Sequence, residues 1–171
     1  LCDRRQRQMC IRDRLLKLLA ALALSFTLAS AAWAESYSAY LTRRDSNLYE
    51  AQPSNLLIRT KYCYEYATYE DSLIDTDRDT AYFKDSRETC DLDAVYRPVR
   101  PSSGRYKAEV SREDGNWYRK DAGLYLKTEN CLELALSEEV SIRLTSFGSG
   151  HVKFNNGNTC GIDGVYQKLS L

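Results

Sequence analysis

The 171-residue chain holds a single histidine, a single methionine, three prolines and eight glycines. With His151 alone, no site built from several imidazoles can be assembled. A Ser–His–Asp relay needs only one, and Ser141, Ser146 and Ser149 are near in sequence. The Gly-x-Ser-x-Gly strand–turn–helix context is missing, however, and His151 reads as an exposed residue entering a strand. No Cys-x-x-Cys spacing occurs, which argues against zinc. Neither sign of charge dominates, with 24 Lys+Arg against 24 Asp+Glu, so no basic excess is available to neutralise nucleic-acid phosphates. Beyond residue 34 no apolar run approaches the roughly 20 residues of a membrane-spanning helix.

What the first part of the chain does contain is a secretory pattern. Residues 15–34 carry Lys17, an apolar run through Leu24, and a small-x-small cleavage signal at Ala32-Trp33-Ala34. A signal peptide is therefore expected over 15–34, with the mature chain starting at Glu35. Ahead of it, within residues 1–14, the stretch RRQRQMCIRDR (4–14) resembles the translation of a transposon-end sequencing adaptor. The other reading is a basic n-region beginning at Met9. Setting aside residues 1–34 removes six Lys+Arg and two Asp+Glu, leaving a net charge of 18 − 22 = −4. The six cysteines become four: Cys63, Cys90, Cys131 and Cys160. An even number of cysteines in an exported chain points to disulfides and to a periplasmic or secreted location.

The remaining sequence writes one pattern twice. Thr60-Lys-Tyr-Cys-Tyr-Glu-Tyr-Ala-Thr-Tyr-Glu70 matches Thr128-Glu-Asn-Cys-Leu-Glu-Leu-Ala-Leu-Ser-Glu138 in its Thr, Cys, Glu, Ala and Glu. Asn47-Leu-Tyr49 matches Asn116-Trp-Tyr118, and Thr89-Cys-Asp-Leu-Asp-Ala-Val-Tyr96 matches Thr159-Cys-Gly-Ile-Asp-Gly-Val-Tyr166. The offset moves only between 68 and 70, as single-residue indels require. The expected organisation is β repeat 1 over 35–97, a Pro/Ser/Gly linker over 98–105, and β repeat 2 over 106–171.

Within each copy the apolar period is two. Leu56, Ile58, Thr60, Tyr62, Tyr64 and Tyr66 fall on one face, as do Leu124, Leu126, Thr128, Asn130, Leu132, Leu134 and Leu136. Unbroken alternation predicts one long bent strand in each copy. It places Tyr64, Tyr66, Leu132 and Leu134 inside and Arg59, Lys61, Lys127 and Glu129 outside. A helix over 132–144 would scatter its leucines around the circumference. Hairpin loops are expected at Glu70-Asp71 and Ser137-Glu138-Glu139. Shorter strands follow at 72–75 and 140–144, 81–84 and 151–154, and through Val95-Tyr96 and Val165-Tyr166. Residues 35–46 read as a loose polar lead-in. The fold class is all-β: two tandem copies of a small disulfide-tied barrel or meander, or else one pseudo-twofold barrel formed by both halves.

Four cysteines allow three connectivities, and a pair in each copy favours Cys63–Cys90 and Cys131–Cys160 over crossed bonds. Closing such loops stabilises by roughly 3–4 kcal/mol on the chain-entropy model. Other constellations have plainer readings. Asp75-Thr-Asp77-Arg-Asp79 begins like a calcium loop but has Thr80 at the sixth position and Ser86 at the twelfth, where Gly and Glu are required. Glu65 and Glu133 would serve as catalytic carboxylates only across one shared cleft. Tyr62, Tyr64, Tyr66 and Tyr69 suggest a ligand platform, but Tyr64 and Tyr66 align with leucines. Tyr62 and Tyr69, aligned with polar residues, are therefore the surface candidates.

The reading is an exported, non-enzymatic binding or structural module of the cell envelope. It carries no catalytic, cofactor or metal site, and its partner is a protein or another envelope component rather than nucleic acid. The alternative is an inhibitor of a secreted hydrolase, because Gly148-Ser-Gly-His-Val-Lys-Phe154 is similar to a loop of periplasmic lysozyme inhibitors. N-terminal sequencing of exported protein should begin at Glu35. A start more than a few residues away removes the cleavage assignment.

Overall fold

Why these segments become strands follows from their alternation, and the computed structural model describes residues 36–121 and 123–170. The expected signal peptide, the stretch before it and the proposed start at Glu35 lie outside the described residues. Twelve strands follow in order: β1 (Ser36–Asp45), β2 (Leu48–Gln52), β3 (Leu56–Lys61), β4 (Glu70–Asp75), β5 (Thr80–Phe83), β6 (Thr89–Val99), β7 (Gly104–Asp114), β8 (Trp117–Asp121), β9 (Leu124–Glu129), β10 (Glu138–Leu144), β11 (Gly150–Lys153) and β12 (Thr159–Leu169). The protein is all-β, with antiparallel pairing that closes into a six-stranded barrel. One closed circuit runs β1-β2-β3-β6-β5-β4, and the second half pairs in the same way as β7-β8-β9-β12-β11-β10. The β6–β12 ladder joins them, from Val95↔Leu169 to Val99↔Val165.

Bulges occur at matched places. The β3–β6 register skips at Asp93 and the β9–β12 register at Asp163. Each extra residue is an aspartate held by the facing cation: Arg59 donates to Asp93 at 2.8 Å, and Lys127 is bonded to Asp163. Bulges bend strands and increase twist, as closing a ring of only six strands requires.

Three apolar clusters follow from this closure. Leu41, Tyr49, Ile58, Ile74, Phe83, Leu92 and Val95 fill the first circuit. Val110, Tyr118, Leu126, Val140, Ile142, Val152, Phe154 and Ile162 fill the second. Between them Leu48, Leu57, Tyr96, Trp117 and Tyr125 pack with Tyr166. The Tyr96 and Trp117 rings stack at 4.7 Å, and the Arg59 guanidinium lies 5.3 Å from the Tyr96 ring centroid.

Several expectations are corrected. The lead-in at 35–46 contains strand β1, because Ala39 and Leu41 bury inward and β1 bridges β2 and β4. The long strands end early, at Lys61 and Glu129. Tyr62 and Asn130 then adopt left-handed backbone, with φ of 50° and 48°, which turns the chain over by one position. Cys63, Ala67, Cys131 and Ala135 point inward as a result. Tyr64, Tyr66, Leu132 and Leu134, expected inside, are exposed. Lys61 and Glu129 are exposed as expected, whereas Arg59 and Lys127 are half-buried by their aspartates. Glu70, Asp71, Glu138 and Glu139 belong to strands β4 and β10 rather than to hairpin loops. Strand β6 runs through Pro98 and Val99 and β7 begins at Gly104, so only residues 100–103 separate the strands of the two halves.

Burial pushes the Tyr166 hydroxyl up to about 12 and the Tyr96 hydroxyl further still. An unfolded tyrosine ionises near pH 10. Between pH 10 and 12 the unfolded chain therefore releases protons that the folded one keeps, and stability falls as pH rises through that window. Thermal unfolding from pH 8 to 12 should show a midpoint that is flat below 10 and drops above it. The Tyr96 hydroxyl is buried without a partner among the described residues. Tyr96→Phe should accordingly leave the pH 8 midpoint unchanged or raise it.

Candidate functional site

The two segments that leave the barrel wall after β3 and β9 form the candidate site. Each is fastened by the same set of bonds, drawn from the residues that the sequence repeats. The Asn47 carbonyl accepts from the Thr60 N–H at 2.9 Å, and its side-chain oxygen accepts from the Cys63 N–H at 3.2 Å. Asn116 does the same for Thr128 at 2.8 Å and Cys131 at 3.0 Å. The Tyr49 hydroxyl donates to the Glu65 carbonyl at 2.9 Å, and the Tyr118 hydroxyl to the Glu133 carbonyl at 2.8 Å. Burial raises the pKa of both hydroxyls, so they remain protonated donors.

Further along, the Arg43 N–H donates to the Ala67 carbonyl and its guanidinium to the Tyr64 carbonyl. Arg112 repeats both bonds on Ala135 and Leu132. The disulfides Cys63–Cys90 and Cys131–Cys160, each with a Cα–Cα distance of 5.6 Å, tie the segments to β6 and β12. Each half carries one of the two bonds, and they fit an oxidising compartment.

These anchors consume inward-facing groups and leave large side chains outside. Tyr62, Tyr64, Tyr66 and Tyr69 are 57–89% exposed, and Leu132, Leu134 and Leu136 are 75–88% exposed. Tyr69 stacks flat on Tyr40, with ring centroids 4.4 Å apart. Tyr62 and Tyr69, the surface candidates from sequence, are joined by Tyr64 and Tyr66. Burying each leucine would be worth roughly 1.5–3 kcal/mol. The fold forgoes that gain while holding the backbone in place.

The two anchors Asn47 and Asn116 line one depression, across which Arg59 reaches to 4.0 Å from Asp114. Glu65 lies in another, beside the Cys63–Cys90 bond with Glu88 and Asp91, and Glu133 does not line it. The Glu133 carboxylate accepts from the side-chain amides of Asn156 at 2.6 Å and Asn158 at 2.7 Å.

The other sequence candidates fall elsewhere. The Asp75 carboxylate caps its own turn, accepting from the Asp77 N–H at 3.1 Å and the Arg78 N–H at 3.0 Å. His151 lies on the outer side of β11, opposite Arg143. Of the stretch 148–154, residues 150–153 are strand and Phe154 is buried, so only 145–149 forms a loop, with Gly148 buried against Val99 and Pro101. Phe147 stands at its tip, 87% exposed.

Sequence reading missed the cationic outer face of β7, β10 and β11, formed by Arg105, Lys107, Arg143, His151 and Lys153. Its signal was the i, i+2 spacing of Arg105 with Lys107 and of His151 with Lys153. Comparison of the chain with protein-family models, curated proteins and solved structures finds no match. The class that fold and site define is an all-β, disulfide-tied barrel protein presenting anchored apolar loops.

Asn116→Ala removes the acceptor for a part-buried N–H and should cost about 1–2 kcal/mol of unfolding free energy. Urea denaturation checks this, and an unchanged midpoint would discount the anchor.

Proposed function

We propose that the protein is an exported, non-enzymatic binding module of the cell envelope, periplasmic or secreted, that grips a protein partner through residues 62–69 and 130–137. We also take the two halves as tandem copies of one unit. The matched anchors at Asn47 and Asn116, Tyr49 and Tyr118, and Arg43 and Arg112 support that view. The observation that carries the binding reading is the outward display of the Leu132, Leu134 and Leu136 side chains on a fixed backbone. Exposed apolar groups of this kind mark interaction surfaces. Fixing them before binding lowers the ordering cost that a flexible loop would incur. Tyrosine on the opposite segment suits the same role, since a rigid amphipathic ring buries much area at small entropic cost.

A second reading, inhibition of a secreted hydrolase such as a lysozyme, is favoured by Phe147 projecting on the 145–149 loop with Gly148 at φ 85°. Both readings meet in one experiment. The 35–171 fragment is used for capture from envelope extract beside a Leu132→Ser/Leu134→Ser/Leu136→Ser variant and a Phe147→Ala variant, with lysozyme assays in parallel. The loop reading expects a protein retained by wild type and lost, at least tenfold, with the leucine variant alone. Loss with Phe147→Ala, together with lysozyme inhibition by wild type, would replace it with the inhibitor reading.

A further inference from the structure

The cationic face of the second half is independent of the apolar loops. On it Arg143 of β10 stands directly between Arg105 of β7 and His151 of β11, and Ser141 stands between Lys107 and Lys153. All six side chains are exposed. Adjacent strands lie about 4.8 Å apart and alternate residues about 6.6 Å, so the charges form a grid about 10 Å across. Like charges directly opposite each other destabilise a sheet. Lys107 is offset by Glu139 at 3.0 Å, but Arg105, Arg143 and Lys153 have no acidic partner within 4.0 Å among the described residues. The row from Arg105 ends at Gly161, beyond which stands Glu129.

The fold does not require this arrangement. By register, the first half places Ser36, Asp75 and Thr80 where the second places Arg105, Arg143 and His151, and Ser38 and Tyr82 where it places Lys107 and Lys153. The same strand geometry is built there without a single cation at those positions. In a chain whose expected mature charge is negative, concentrating four cations on one face calls for an anionic occupant. Ser141 and Thr159 stand among the cations, and their hydroxyls suit a hydrated polymer. The exposed rings of Tyr106 and of Phe147, in the loop joining β10 and β11, lie at the border of the grid.

We propose that the outer face of β7, β10 and β11 binds an acidic glycan, its phosphate, sulfate or carboxylate groups seated on Arg105, Arg143, Lys107 and Lys153. Ser141 and Thr159 donate or accept hydrogen bonds from sugar hydroxyls between the charges. Recognition of this kind is electrostatic and weakens steeply with salt.

The test titrates a fluorescent heparin octasaccharide, a sulfated glycan, with the 35–171 protein from 50 to 300 mM NaCl. Wild type should bind at 50 mM and weaken progressively with salt. Arg105→Glu/Arg143→Glu should bind at least tenfold more weakly, with a log K against log salt slope smaller by about two. Lys153→Gln, a milder change at an exposed position, should lose about threefold. Lys61→Glu/Arg78→Glu, reversing charges on the first half, should stay within about twofold of wild type. Thermal unfolding of each variant verifies the fold, and the leucine variant above should bind the octasaccharide normally. Four results would overturn the proposal: no binding by wild type, equal loss with both double variants, stronger partition onto phosphatidylglycerol vesicles than onto the glycan, or salt-sensitive self-association abolished by Arg105→Glu/Arg143→Glu. The last would make the face a contact for the Asp75 and Asp91 side of a second copy.

Discussion

A cysteine that must reach its partner inside a barrel dictates where its neighbours go. Cys63 and Cys131 follow outward-facing Lys61 and Glu129 by two positions, so simple alternation would also have left them outside. One left-handed residue, Tyr62 or Asn130, resets the phase and brings the sulfur inward. The alternation then resumes inverted, with Ala67 and Ala135 inside and the bulky residues between them in solvent. Asparagine tolerates left-handed backbone through its short polar side chain, whereas Tyr62 carries a modest cost there. The Asn47 and Asn116 clamps, with the disulfides, hold the reset in place.

The seam between the halves works differently. Tyr96, Trp117, Tyr125 and Tyr166 meet there as rings rather than as aliphatic chains, in stacked, edge-on and tilted pairs. Rings fill the wide gap where two strongly curved sheets diverge, and their edge-to-face contacts add to what burial supplies. Arg59 is held there by Asp93 and lies over Tyr96, so a charged group serves as part of the packing. The Tyr96 hydroxyl finds no partner in this crowd, a cost set against the area its ring buries.

The all-β class, the absence of helix at 132–144 and the alternation of Val140, Ile142 and Leu144 were legible because period two survives any local twist. Cys63 with Cys90 and Cys131 with Cys160 were legible because each pair recurs at matched spacing. The exposure of Leu132 and Leu134 was not. It depends on a single backbone conformation at Asn130, and nothing in a run of alternating leucines marks where the phase flips. Strand β1 was hidden for another reason. Its outward residues are Ser36, Ser38 and Tyr40, and its membership comes from long-range pairing with β4 rather than from local propensity. The cationic face escaped notice because its members come from three strands, and only register brings Arg105 beside Arg143.

Ring closure has one more effect. Each of the twelve strands has a hydrogen-bonded neighbour on both sides, because β11–β12 and β6–β5 close what would otherwise be the ends of the sheet. An incoming peptide therefore meets little exposed ladder to extend, the open edges being residues 36–39 of β1 and 104–110 of β7, which pair on one side only. Over the rest of the wall a partner is recognised through side chains and loops, so specificity there resides in replaceable residues while the scaffold behind them stays the same.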